Sequence, residues 1–85
     1  MPKPRNEKGE KNLIAERLKE LRKNSTPNLS QRGLAQKLQL LGIDMDKNVI
    51  TRIETNKRYV TDIEIQALSK IFNVSYEFLI DGVKL

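Results

Sequence analysis

Apolar residues along this chain fall into five short groups divided by polar breaks, and each group carries the spacing of a single helix face. Ile14, Leu18 and Leu21 form the first face and predict a helix from Asn12 to about Lys23. The run Asn24-Ser25-Thr26-Pro27-Asn28 ends it, because proline has no N–H and disfavours a helical residue before it. Ser30 is placed to cap a second helix reaching about Leu41, with Leu34, Ala35, Leu38 and Leu41 inward. Gly33 in its first turn lowers helix propensity, and two readings stand: no room beside a packed neighbour or DNA backbone, or tolerance at a helix end. Gly42 suits the left-handed residue that closes the helix. Ile43-Asp44-Met45 then connects, with Ile43 or Met45 turned inward.

Asp46 opens a third helix to about Thr55, in which Val49, Ile50 and Ile53 make a thin apolar seam. Asn56 closes it, and Lys57-Arg58-Tyr59-Val60 is a basic connection. Thr61-Asp62-Ile63-Glu64 has the form of a capping box and starts a fourth helix to about Phe72, with Ile65, Leu68 and Phe72 inward. Asn73 ends that helix. Ser75 caps a fifth, Tyr76 to Ile80, and Asp81-Gly82 turns the chain out. No run alternates as a strand would. The expected fold is all-α, a compact bundle of five short helices over residues 11–81. Residues 1–10 are expected to be a disordered basic arm, and residues 82–85 a C-terminal tail that can contribute to a dimer contact.

With 85 residues the chain can bury one modest core. It has neither Cys nor His, which removes disulfides, the commonest zinc ligands and the usual general base, so no metal or cofactor is expected. An enzyme would need paired carboxylates. The candidates, Asp44/Asp46 and Asp62/Glu64, each contain a member that a helix cap explains, so no enzyme activity is expected. No apolar run approaches the roughly 18 residues of a membrane span. The N-terminus lacks the apolar core of a signal peptide, and a cytoplasmic protein with no membrane partner is expected.

Charge changes the picture more. Residues 1–60 hold 14 Lys/Arg against 7 Asp/Glu, and residues 61–85 hold 2 against 4. A one-sided basic field attracts polyanions, nucleic acid above all. Within it, Lys47, Asn48, Thr51 and Arg52 lie opposite Ile50 and Ile53 on the third helix. They are the side chains suited to reading base edges in a DNA major groove. Arg52 and Lys47 can donate to guanine, Asn48 can make two bonds to adenine, and Thr51 can donate, accept or pack its methyl on thymine. Ser30 and Gln31 at a helix N-terminus form a natural phosphate seat. Arg32, Lys37, Lys57 and Arg58 add charge, and Lys3, Arg5, Lys8 and Lys11 of the arm could reach phosphates or a minor groove.

The order and spacing of several phrases carry a resemblance: Ile14-Ala15-Glu16-Arg17-Leu18-Lys19-Glu20-Leu21-Arg22, Leu29-Ser30-Gln31, Leu34-Ala35-Gln36-Lys37-Leu38, Ile50-Thr51-Arg52-Ile53-Glu54, Lys57-Arg58 and Phe72-Asn73-Val74-Ser75. From about Ile14 to Ile80 the chain resembles the Cro/phage-repressor (XRE-type) helix-turn-helix domain, with a lambda-repressor-like fold. The resemblance implies that Lys47, Asn48, Thr51 and Arg52 face the major groove. It further implies that Ser30, Gln31, Arg32, Lys57 and Arg58 meet phosphates, that Gln31 braces the start of the third helix, and that Arg22 and Glu54 form a structural ion pair. The connection between the first two helices, and the stretch from Leu38 to Ile50, are longer than the common pattern. Asn56 stands where the family usually has glycine.

Tyr76, Phe78, Leu79 and Ile80 cannot all face one small core, which suggests a two-fold homodimer through the fifth helix and tail, with Tyr76, Phe78 and Ile80 in the contact. The expected function is a sequence-specific double-stranded DNA-binding transcriptional regulator, a repressor, with the helix at 46–55 in the groove and a prokaryotic or phage origin. The alternative is a protein-interaction module with a protein partner, such as an antitoxin of a toxin–antitoxin pair.

Overall fold

A computed structural model describes residues 11–82. Those residues form five helices: α1 (Ala15–Lys23), α2 (Gln31–Leu40), α3 (Lys47–Glu54), α4 (Asp62–Phe72) and α5 (Tyr76–Asp81). The expected arm at 1–10, and Val83 to Leu85 of the expected tail, lie outside the described residues.

Local side chains start four of the helices. Ser30 Oγ accepts from Gly33 N at 2.9 Å, Asp46 Oδ1 from Val49 N at 2.9 Å, and Ser75 Oγ from Phe78 N at 3.1 Å. Thr61 Oγ1 accepts from Glu64 N at 3.2 Å while Glu64 Oε1 accepts from Thr61 N at 3.0 Å, a complete capping box. Gly33 is explained by its own cap: a Cβ there would lie 3.1 Å from Leu29 Cδ1 and 3.2 Å from Ser30 Oγ. A side chain at this position would require these two side-chain atoms to give by a few tenths of an ångström.

Left-handed residues stop α2 and α3. At Gly42 (φ 83°), Gly42 N donates to Gln39 O and Ile43 N to Leu38 O, both at 3.0 Å. At Asn56 (φ 61°), Asn56 N donates to Ile53 O at 3.1 Å and Lys57 N to Arg52 O at 2.7 Å. Both are Schellman closures.

The core gathers Ile14, Leu18, Leu34, Ala35, Leu38, Met45, Ile50, Ile53, Ala67, Leu68 and Leu79. α3 packs on α1 and α2, and α4 packs on α2 and α5. Two sequence expectations need correction. Leu41 is exposed, because the helix ends at Leu40 and the turn at Gly42 carries the chain back so that Met45 becomes the buried residue of the connection. On α4 the expected face holds: Leu68 is buried and Ile65 and Phe72 pack partly buried against the core, with Ala67 and Ser69 buried beside them.

The second correction is at the start. α1 begins at Ala15 rather than Asn12, because the buried Asn12 amide is engaged elsewhere. Its Nδ2 donates to Ile53 O at 3.1 Å and Arg58 O at 3.0 Å, and its Oδ1 accepts from Ile14 N at 3.1 Å. Asn56 Oδ1 answers by accepting from Lys11 N at 2.7 Å and Asn12 N at 2.9 Å. The two asparagines clasp the start of the described chain to the end of α3.

That clasp explains why asparagine can hold a position that glycine's freedom would suit. A non-glycine residue in left-handed backbone costs about 1–2 kcal/mol, and each of the two side-chain bonds is worth about 1 kcal/mol. Asn56→Ala keeps the strain and loses both bonds, so a loss of ~2 kcal/mol is expected in urea unfolding. Asn56→Gly loses the bonds but sheds the strain, and ~1 kcal/mol or less is expected. A loss well under about 1 kcal/mol for Asn56→Ala would refute the clasp.

Candidate nucleic-acid interface

α3 has two faces with different environments. Ile50, Ile53 and Glu54 are buried, while Lys47, Asn48 and Arg52 are exposed. Among the described residues these three exposed side chains make no hydrogen bond or ion pair. Thr51 differs from them. It is half-buried, and its Oγ1 lies 2.9 Å from Gln31 Oε1 and 3.0 Å from Lys47 O. Of the four side chains expected to read bases, three are free and one is tied to α2.

The tie belongs to a network centred on Glu54, whose side chain is 2% exposed. Arg22 Nε donates to Glu54 Oε2 at 2.7 Å and Arg22 Nη2 to Glu54 Oε1 at 2.9 Å, a bidentate pair. Arg22 Nη1 also donates to Leu29 O at 3.2 Å. Hydrogen bonding to Glu54 holds the Arg22 guanidinium above its ordinary pKa, outweighing the opposing effect of burial. Gln31 Nε2 completes the set by donating to Glu54 Oε1 at 3.0 Å. Side chains of α1 and α2 therefore converge on one carboxylate of α3.

Ser30, Gln31 and Arg32 sit at the N-terminus of α2, and together with Arg22 and Lys47 they line a shallow depression between α2 and α3. Arg32 and Lys57 are exposed and lie in no ion pair among the described residues. Arg58 is placed otherwise. Its Nη1 and Nη2 donate to the two oxygens of Glu64 at 2.9 Å each, and Nη1 reaches Tyr59 O at 3.0 Å. Burial raises the Glu64 carboxyl, but the hydrogen bonds from Arg58 and Thr61 bring it below its ordinary value. Arg58 is thus a clamp on the capping box of α4. Its signal in the sequence was a basic residue just ahead of that box.

The apolar candidates on α5 separate. Tyr76 and Ile80 line a groove with Ile63, Ile65, Asp62 and Gln66 of α4, whereas Phe78 is half-buried outside it. Ile63 is 62% exposed and Tyr76 49%.

A family model described as helix-turn-helix matches residues 18–79, from within α1 to within α5. Comparison with curated proteins and with solved structures gives no match.

Removing one partner of a buried ion pair leaves an uncompensated charge, at about 3–5 kcal/mol. That approaches the whole stability of a domain this size. Arg22→Met is expected to leave the protein largely unfolded at 25 °C by circular dichroism. Arg22→Met with Glu54→Met removes both charges and is expected to recover a cooperative unfolding transition. A double variant no more stable than the single one would show that the pair does not carry this energy.

Proposed function

Because this chain belongs to the Cro/C1-type helix-turn-helix family, a DNA-binding family, we propose that it is a sequence-specific regulator of transcription. It acts as a repressor, binding double-stranded DNA as a homodimer with α3 in the major groove. One observation carries this reading: α3 is locked to the domain by its inner face while Lys47, Asn48 and Arg52 stand exposed and uncommitted on the outer one. A major groove admits one helix, and these side chains match its donor and acceptor pattern. Ser30, Gln31, Arg32 and Lys57 supply phosphate contacts. Arg58 contributes as part of the scaffold, through donors left over from Glu64. The Arg22–Glu54 pair positions α3.

Selection of bound sequences from random duplex DNA tests the proposal. Arg52→Ala and Asn48→Ala are each expected to cost about 1–3 kcal/mol on the selected site and to relax preference at one position. Lys57→Ala is expected to weaken all sequences alike and to lower the salt slope by about 1. Binding indifferent to sequence and to salt would reject the proposal.

The α4–α5 groove supports the dimer. A helix-turn-helix dimer places its recognition helices about 34 Å apart, one DNA turn, so the selected site is expected to be near-palindromic. Tyr76→Glu and Ile63→Glu would put charge on exposed apolar positions. Each is expected to weaken the dimer about tenfold or more in sedimentation equilibrium, with the urea midpoint of the monomer unchanged. A wild-type monomer at all concentrations, bound to a single half-site, would reject the dimer.

A second reading, a protein-interaction module such as an antitoxin, draws on Leu40, which is 86% exposed beside exposed Leu41 at the end of α2. Under it, Asn48 and Arg52 would be dispensable.

A further inference from the structure

Thr51 occupies the same outer region of α3 as Asn48 and Arg52, but its hydroxyl is not free to choose its role. Glu54, bonded twice by Arg22, is an ionised carboxylate and can only accept. The Gln31 amide nitrogen must therefore be the atom facing Glu54 Oε1, 3.0 Å away. That orientation turns Gln31 Oε1 toward Thr51 Oγ1, at 2.9 Å. An amide oxygen carries no hydrogen, so the hydroxyl must donate across this contact. The other near neighbour of Thr51 Oγ1 is Lys47 O at 3.0 Å, again an acceptor without a hydrogen. The hydroxyl has one proton and two acceptors for it within the protein. What it retains for an outside partner is lone pairs.

Resting on the proposed DNA-binding reading, we infer that Thr51 is a specificity-determining residue that acts only as a hydrogen-bond acceptor, and that Gln31 is a positioning residue that, together with the Lys47 carbonyl, makes it one. In a major groove, an obligate acceptor is complementary to the exocyclic amine of adenine or cytosine. It opposes guanine O6 and N7 and thymine O4, which present lone pairs of their own. The chain of bonds reinforces this polarity. Gln31 donates to a carboxylate, which makes its oxygen a stronger acceptor, and a hydroxyl that donates to it becomes a stronger acceptor in turn. The charge of Arg22 on α1 thus bears, through Glu54 and Gln31, on which base Thr51 tolerates.

The test is DNA selection followed by binding titrations with duplexes changed one base pair at a time. Wild-type protein is expected to show one position at which an amine edge is preferred over a carbonyl edge by about tenfold or more. Thr51→Val keeps the branched shape and a methyl but removes the oxygen, and preference at that position is expected to fall to about twofold or less. Thr51→Ser keeps the hydroxyl and is expected to retain it. Gln31→Met leaves Lys47 O as the one acceptor for that proton inside the protein and removes a proposed phosphate contact, so it is expected to weaken binding to every duplex and, beyond that, to reduce preference at this position while leaving preference at the others as it was. A merely structural or phosphate-binding role for Gln31 would weaken every sequence together and leave the preference at this position intact. A guanine or thymine edge preferred at the position that Thr51→Val alters would overturn the inference. So would an unchanged preference profile for Thr51→Val or for Gln31→Met. If the protein binds no DNA sequence selectively, the DNA-binding reading itself fails and the inference fails with it.

Discussion

A carboxylate almost removed from water must be matched by charge and hydrogen bonds, and Glu54 is matched by residues from two other helices. Arg22 of α1 holds both of its oxygens and Gln31 of α2 takes one of them again. Ile50 and Ile53 supply the adhesion that holds α3 to the core, but apolar burial is non-directional and tolerates sliding or rotation. A bidentate guanidinium–carboxylate pair does not, because its two parallel bonds have one geometry. The ion pair therefore sets the rotation of α3 about its own axis, and with it which residues face outward. At eight residues α3 is also too short to persist as an isolated helix, so its existence and its orientation come from the same contacts.

The two ends of α3 are held by separate devices. At its start, Asp46 caps the first turn, Met45 is buried, and Gln39 Nε2 donates to Met45 O at 3.2 Å. These contacts lead the chain from the turn at Gly42 and the exposed Leu41 into α3. At its end, Asn56 and Asn12 bind each other's segments, so the entry to α1 and the exit from α3 are one packed unit. Lys11 lies with its Nζ 5.9 Å from the centre of the Tyr59 ring.

What the sequence made legible follows the range of each interaction. Helix starts at Ser30, Asp46, Thr61 and Ser75 were readable because a cap reaches an N–H only three residues on. The outward positions of Lys47, Asn48 and Arg52 were readable because helical period alone separates them from Ile50 and Ile53. Arg22 with Glu54 was readable only through family resemblance, since nothing local links residues 32 apart. The Asn12–Asn56 clasp joins positions 44 apart, and its partners include backbone carbonyls, which carry no mark in a sequence. Arg58 was open to competing uses, a phosphate or Glu64, and periodicity does not choose between them. Thr51 lies at the border of the outer face. Its period says outward, and only the packing of α2 on α3 reveals that its hydroxyl already has a partner.

That border position gives the outer face of α3 an internal division of labour under the proposed function. Lys47 and Arg52 are long, exposed side chains, and ordering each on DNA costs about 0.5–1.5 kcal/mol in lost rotamer freedom. In return they bring charge, and charge supplies affinity and attraction over distance. Thr51 brings no charge and little reach, but the domain fixes its hydroxyl before any DNA arrives, so it loses little freedom on binding. A mobile cation can shift to accommodate a wrong base, whereas a hydroxyl fixed by Gln31 cannot reverse its polarity without breaking a bond inside the protein. Discrimination per side chain should accordingly be greatest where the scaffold reaches furthest into the reading face, and that place is the contact between Gln31 and Thr51.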